Sequence, residues 1–211
     1  MKFLGTLYLG IIALFYSSEE SRLEQIKADG ELRVVTRYGL TTYYEGPNGK
    51  AGLEYELAKR FAQELGVRLH LNVTNNLAEI LPQVANHQVH LAAAGLTISK
   101  SRQSLVRFGP HYQSVTPQIV YRRGFPKPPS NLADFRATHH LKVASGGNQV
   151  DILKRLKTDY PQLTWKELPG VNPPNILEQV WEKEIQYALV DSNEVAQMRR
   201  FHPELQIALV L

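Results

Sequence analysis

The chain has 211 residues, no cysteine and a formal net charge of +4. The absence of cysteine excludes disulfides, zinc–thiolate sites and a lipid-modified N-terminal cysteine, and the length allows one large or two small domains. Because the 24 Lys and Arg residues are scattered and form no basic stripe interleaved with aromatic residues, we expect no nucleic-acid partner.

The first 20 residues form an apolar leader. They carry one lysine and then an apolar run that ends near Ser17. The run has the length of a signal-peptide core and is shorter than the roughly twenty residues that a bilayer span needs. No clear Ala-x-Ala site follows it. Residues 1–20 are therefore predicted to be a signal peptide or an uncleaved N-terminal anchor, and the second alternative implies membrane association.

Strand and helix patterns alternate after the leader, which predicts an α/β fold with a parallel sheet covered by helices. The first group comprises strands at 32–36, 67–73 and 89–94 and helices at 53–65 and 77–84. Asn76 can cap the second helix, and Pro82 should bend or shorten it. In the first helix we expect one apolar stripe to be the buried face: Leu53, Leu57, Phe61 and Leu65.

The turn after the strand at 89–94 combines hydroxyl groups with an arginine. Gly95 breaks the apolar run, and Thr97, Ser99 and Arg102 follow it. An arginine offers two parallel donors to a carboxylate, and hydroxyls and free backbone N–H groups can complete the site. Ligands collect at the carboxyl ends of parallel strands, where this turn lies. We interpret it as a carboxylate-binding turn, the alternative being a surface arginine after an ordinary turn.

A second group of elements follows an extended segment and a proline-rich stretch. Strands are predicted at 141–144, 164–168, 187–190 and 206–210, and helices at 150–157, 174–181 and 192–200. The turn at 145–148 is the ligand-facing turn of this group. We expect two lobes, divided as follows: 21–117 as lobe 1, 118–130 as a hinge or crossover, and 131–211 as lobe 2.

Several of these motifs resemble a known family. Gly95-x-Thr97-x-Ser99-x-x-Arg102, followed by FGPHY at 108–112, resembles the Thr-x-x-x-Arg and Phe-Ser-x-Pro-Tyr region of type II periplasmic solute-binding proteins, and of their amino-acid-binding branch in particular. The runs GLEYELA at 52–58 and FHPEL at 201–205 are similar to the N-terminal module of the membrane-bound lytic murein transglycosylase F family.

The resemblance implies a two-lobed type II fold in the periplasm of a Gram-negative-type envelope, associated with the outer membrane if the anchor is retained. It implies a ligand that is a peptidoglycan stem peptide or an amino-acid-like molecule. In the transglycosylase family a C-terminal catalytic domain follows such a module, so we expect one in the full-length protein.

The resemblance also implies roles for single residues. Arg102 would hold the ligand's carboxylate with help from Thr97 and the backbone near Gly95, and Asp191 would pair with its ammonium. Asp191 is equally well placed to cap the next helix. In lobe 2, the turn on the side of the ligand's anionic group would be formed by Gly146, Gly147 and Asn148. The two glycines also suit a plain tight turn. The cleft would be walled by tyrosines, unless these are packing residues: Tyr43, Tyr44 and Tyr112.

Two features depart from the family pattern. Amino-acid binders usually carry an acid just after strand one, where this chain has Arg37, and a cation there would suit a ligand with an additional carboxylate, such as a stem peptide. A type II fold also returns to its first lobe, whereas this chain stops in an apolar strand, so we expect an incomplete first lobe.

No catalytic or cofactor chemistry is predicted for the chain itself. It has no stretch like the transglycosylase's Glu-Ser helix, and glycan cleavage needs a placed general acid. The pairs His87/His90 and His139/His140 lack further partners at metal spacing, and no phosphate loop or nucleophile elbow occurs. Two functional classes remain, namely a ligand-sensing module of a lytic transglycosylase and a periplasmic amino-acid receptor of an ABC importer, and a non-binding remnant is a third possibility.

Overall fold

A computed structural model describes residues 21–125 and 128–211. The predicted signal peptide or anchor at 1–20 lies outside the described residues, as do residues 126 and 127 of the predicted crossover. Among the described residues, no helix has the length and apolar character needed to cross a bilayer.

The first lobe is built on three parallel strands in the order β4–β1–β5. The strands are β1 (Glu31–Arg37), β4 (Arg68–Thr74) and the short β5 (Leu91–Ala92), and a hairpin joins β2 (Tyr44–Gly46) to β3 (Gly49–Ala51). The helices are α1 (Arg22–Asp29), α2 (Leu53–Leu65), α3 (Leu77–Ala85) and α4 (Lys100–Gln103). The central strand β1 ends at Arg37, so the carboxyl end of this sheet faces the second lobe.

The second lobe contains a five-stranded sheet in the order β10–β6–β9–β7–β8. Its strands are β6 (Pro117–Arg122), β7 (Leu141–Ala144), β8 (Lys166–Leu168), β9 (Tyr187–Asp191) and β10 (Leu205–Val210). Strands β7, β8 and β9 run parallel, and β6 is antiparallel to both β9 and β10. The helices are α5 (Asn148–Asp159), α6 (Pro173–Trp181) and α7 (Ser192–Met198), and two short 3₁₀ helices precede β7.

The two-lobed α/β architecture expected from the sequence is therefore present, with some boundaries displaced. Residues 118–122, the extended start of the predicted crossover, form most of β6, where Ile119 and Val120 are fully buried. The strand predicted at 89–94 pairs only at β5, although Ala93 still donates its N–H to the Val35 carbonyl at 2.9 Å. Pro82 does not end α3, which continues to Ala85.

Helix α1 was not predicted, although the sequence contains a recognisable signal for its start. Ser21 accepts a hydrogen bond from the Glu24 N–H, and the Glu24 carboxylate accepts one from the Ser21 N–H. This reciprocal pair is a capping box, which the Ser-x-x-Glu spacing could have revealed.

The buried face of α2 differs from the predicted stripe, of which Leu65 alone packs against the core of the sheet. Leu53, Leu57 and Phe61 are 50%, 45% and 42% exposed, whereas Ala58 and Ala62 are buried against the sheet. The two stripes are neighbouring faces, because consecutive helix residues lie about 100° apart. The helix face with the smaller side chains packs on the sheet, which allows a close approach. Leu53, Leu57 and Phe61 face solvent.

Gly52, the residue before α2, is expected to be essential for stability. Its φ is +127°, and a Cβ at this position would lie 2.1 Å from the Thr42 carbonyl oxygen. Gly52→Ala should lower the free energy of unfolding by about 3 kcal/mol, because backbone strain and a main-chain clash combine. Urea unfolding would measure the loss. Gly49 provides the control, since its φ is also positive (+98°) but no atom lies within 4 Å of an added Cβ. Equal losses for the two alanine variants would show that the Thr42 contact costs nothing.

Candidate ligand-binding site

A cavity of about 640 Å³ lies between the lobes. Lobe 1 contributes the ends of β1 and β5, the turn after β5 and the segment 106–115, and lobe 2 contributes the starts of α5 and α7. The cavity brings together seven of the ten residues predicted for the site: Arg37, Gly95, Thr97, Arg102, Gly147, Asn148 and Asp191.

Arg102 bridges the two lobes. Its Nη1 donates to the Thr97 carbonyl at 3.1 Å, and its Nη2 donates to the Gly146 carbonyl of lobe 2 at 2.9 Å. Ser99 does not line the cavity but caps α4, with its hydroxyl accepting the Arg102 N–H at 3.4 Å. Burial lowers the pKa of Arg102, and the neighbouring Asp151 and Asp191 carboxylates oppose that shift. The guanidinium is thus fixed at the lobe interface by two neutral carbonyl groups, and no carboxylate of the described residues forms a direct ion pair with it.

Asp191 occupies the N-cap position of α7 but does not cap it with its side chain. Its Oδ2 instead accepts a hydrogen bond from the Thr97 hydroxyl at 3.4 Å, and the Gln149 side chain also bonds to it. Burial raises the pKa of Asp191, while these hydrogen bonds and Arg37 act in the opposite direction. Of the two interpretations left open by the sequence, side-chain capping is not seen, and the carboxylate lies against the cavity.

Glu54 is a site residue that sequence reasoning missed. It is 7% exposed and accepts hydrogen bonds from the Gly95 N–H at 2.9 Å and from the Tyr112 hydroxyl. Burial is the largest cause of the raised pKa of Glu54. A signal was present, because Glu54 lies on the same helix face as Ala58 and Ala62. Had that face been recognised as buried, an acid on it would have stood out.

Arg37 lines the cavity, but its donors are already engaged. Nε donates to the Ala94 carbonyl at 2.9 Å and Nη2 to the Glu194 Oε1 at 2.5 Å. Nη1 is buried and has no hydrogen-bond partner among the described residues. No pair of donors is therefore presented to a ligand's carboxylate in this conformation. Glu194, the acid that neutralises Arg37, was not predicted either.

Of the three tyrosines considered for the wall of the cleft, only Tyr112 lines it. Tyr43 is 2% exposed, its ring packs on Tyr38 and Tyr55 with centroids 5.6 and 5.8 Å away, and its hydroxyl donates to Glu45. Burial raises the pKa of Tyr43 to about 12. The packing interpretation therefore applies to Tyr43.

The glycines of the second turn have distinct places. Gly146 has φ +77° and lies so close to α3 that a Cβ would be 2.6 Å from the Ala78 Cα and N. It is a point of close approach between the lobes and does not line the cavity. Gly147 and Asn148 do line it, and Asn148 is the first residue of α5.

The cavity thus presents a cation and an anion from different lobes. Arg102 extends from lobe 1, and Asp191 from lobe 2. Arg37 and Glu194 neutralise each other. Arg102 and Asp191 remain as a cation and an anion from opposite lobes, alongside Arg107 and Glu54 in the same lining. A molecule with both a carboxylate and an ammonium group complements that arrangement.

Fold and cavity together define a two-lobed solute-binding protein. The family model for bacterial extracellular solute-binding proteins, family 3, matches residues 32–209. The chain belongs to this family.

Curated relatives extend the comparison. The chain is 40% identical over 192 residues to the membrane-bound lytic murein transglycosylase F of Pseudomonas fluorescens, covering 90% of this chain and 39% of that protein. It is 35% identical over 210 residues to the protein of the same name from Aeromonas hydrophila, covering 99% and 42%. The chain therefore spans about two fifths of the length of the curated relatives it matches.

Known structures show the same fold. An arginine-bound, truncated ArgBP from T. maritima superposes with a TM-score of 0.74 at 20% identity, covering 89% of this chain and 86% of that chain. The L-cysteine solute receptor of Neisseria gonorrhoeae superposes with a TM-score of 0.77 at 20% identity, covering 89% and 74%. These similarities confirm the two-lobed type II fold expected from the sequence.

Proposed function

We propose that this chain is the ligand-sensing, regulatory module of a peptidoglycan lytic transglycosylase. Its ligand would be a cell-wall stem peptide or an amino-acid-like molecule with a free carboxylate and ammonium. One observation carries the proposal, namely that Arg102 and Asp191 reach the same cavity from opposite lobes. The names of the curated relatives support the transglycosylase context.

The contacts support a role for each residue within this proposal. Arg102 binds the carboxylate, with Thr97 and the Gly95 turn at its side, and Asp191 binds the ammonium. Gly147 and Asn148 complete the lobe 2 wall of the same cavity. The volume of about 640 Å³ falls within the roughly 300–1,000 Å³ of small-molecule sites. It therefore accommodates a ligand larger than a single amino acid.

The wider setting is part of the same proposal. Ligand binding closes the two lobes, which the boundaries 21–117, 118–130 and 131–211 approximate, and closure is transmitted to a catalytic domain elsewhere in the longer protein. The module works in the periplasm, with outer-membrane association through the N-terminal segment if that segment is retained.

A second candidate is a periplasmic amino-acid receptor of an ABC importer. The superposition on the arginine- and cysteine-binding proteins favours it. Both functions use the same groups to bind a carboxylate and an ammonium. The two functions differ in the rest of the ligand, which is a peptide for the sensor and a single side chain for the receptor.

Isothermal titration calorimetry separates the two functions. The chain would be titrated with a synthetic stem tetrapeptide and with a panel of free amino acids. Binding of the tetrapeptide in preference to every free amino acid is expected for the sensor. Tight binding of one free amino acid would instead identify the receptor, and folded protein that binds none of these ligands would overturn both functions.

A further inference from the structure

Glu194 reaches from lobe 2 into a group of lobe 1 donors. Its Oε1 accepts hydrogen bonds from Arg37 Nη2 at 2.5 Å and from the Thr41 hydroxyl at 2.8 Å. Arg37 ends β1 and Glu194 lies in the first turn of α7, 157 residues further along the chain. The contact therefore joins the two lobes directly.

The Arg37–Glu194 pair is almost completely buried. The two side chains are 5% and 3% exposed. A buried charge without a partner is strongly unfavourable, so each of these groups requires the other when the lobes are together. When the lobes separate, water can hydrate both. The interaction consequently exists only in the closed arrangement.

The other ion pairs have a different character. Within residues 21–125 and 128–211, every other ion pair connects residues of lobe 1 near its surface, as in Arg60–Glu64 and Lys59–Glu56. Arg37–Glu194 is the one ion pair of these residues that crosses between the lobes.

We propose that Arg37 and Glu194 form a latch that holds the lobes closed, and that Arg37 serves closure instead of recognising an extra carboxylate. The latch goes beyond the proposed function and does not depend on which ligand is bound. Its position gives it a further consequence. Glu194 lies three residues after Asp191, on the helix that Asp191 precedes, so engaging Glu194 also brings Asp191 to Thr97. The latch thus assembles the two halves of the ligand site.

Fluorescence energy transfer across the cleft tests the latch in the ligand-free protein. Because the chain has no cysteine, the exposed residues Arg60 and Lys154 can be replaced by cysteine and labelled selectively. Glu194→Gln and Arg37→Gln should each reduce the closed population about tenfold or more, because each leaves one buried charge unpaired. The double variant Arg37→Gln/Glu194→Gln contains neither charge, so it should be more closed than either single variant but more open than the original protein.

Matched controls make the outcome decisive. Glu56→Gln removes a surface ion pair of lobe 1 and should leave the interlobe distance unchanged. Thr41→Val removes only the second donor to Glu194 and should open the lobes slightly, which keeps the test available if Glu194→Gln fails to fold. Single variants that stay closed would overturn the latch, as would a double variant that is as closed as the original protein or more open than both single variants. Calorimetry with the tetrapeptide remains an independent readout, so ligand binding and the latch can fail separately.

Discussion

Replacing Arg102 with methionine is expected to weaken ligand binding by about 100-fold or more. A buried guanidinium that binds a carboxylate contributes a charge-assisted interaction. Truncating one partner of such a pair commonly costs about 2–5 kcal/mol of binding free energy. Methionine fills similar space but cannot donate to the ligand or to the Gly146 carbonyl, which now accepts from Arg102 at 2.9 Å. Calorimetry with the stem tetrapeptide, or with whichever amino acid the titrations show to bind, would measure the loss.

Two companion variants of Arg102→Met show whether geometry or charge is responsible. Arg102→Lys keeps the charge but loses the planar pair of donors, so we expect an intermediate loss of roughly tenfold. Arg107→Met removes an exposed arginine from the same cavity lining and should change affinity less than about threefold. If Arg107→Met were as damaging as Arg102→Met, the ligand would be attracted by the field of the cavity and not held by Arg102.

Ligand affinity is also expected to rise with pH over the range in which Asp191 ionises. Burial raises the pKa of Asp191 above its ordinary value of 3.8, so in the free protein part of the population is protonated at pH values where an exposed aspartate is charged. A protonated carboxyl cannot pair with an ammonium. Binding therefore requires release of the proton, and affinity should fall as the pH is lowered towards and below the folded-state pKa.

The same shift affects the stability of the free protein in the opposite direction. The pKa values of Asp191 and Glu54 are both raised by burial, so protonation favours the folded state. Their contribution is fully present below the ordinary values of 3.8 and 4.5 and is lost as the pH rises through the folded-state pKa values. The increase in Tm caused by the ligand should accordingly grow with pH.

Asp191→Asn separates this effect from general changes in the protein. Titrations in two buffers with different ionisation enthalpies should show proton release for the original protein and none for Asp191→Asn, which should also bind weakly at every pH. Asp159→Asn, at an exposed position at the end of α5, should keep the original profile. Retention of the proton release in Asp191→Asn would mean that another group, such as Glu54, is titrating.

The sequence predicted those parts of the fold that depend on local pattern. Alternating strands and helices, and the turn that carries Arg102, follow from periodicity and from the breaks at Gly95 and Gly66. The face of α2 that is buried did not follow, because two adjacent stripes both satisfied the helical period. Which stripe packs on the sheet, that of Ala58 or that of Leu57, depends on how closely the helix approaches the sheet. That distance is a tertiary property.

The same limit applied to the cavity. Arg102 and Asp191 could be proposed because each lies at the carboxyl end of a strand, where side chains are presented to a ligand. Glu194 could not, since its importance comes from a contact with Arg37, 157 positions away in the chain, and Glu54 would first have required the buried face of α2 to be recognised. For the same reason Arg37 was expected to face a ligand, although it is neutralised by an acid from the other lobe.

The exposed stripe of α2 has a calorimetric consequence. Leu53, Leu57 and Phe61 already expose about half of their surface to water in the folded chain, so unfolding newly hydrates only the remaining half. Newly hydrated apolar surface is the main source of the heat-capacity increase on unfolding, which is about 12–15 cal/mol/K per residue in ordinary domains. These three residues should therefore contribute only about half as much to the heat-capacity increment as fully buried leucine and phenylalanine residues do.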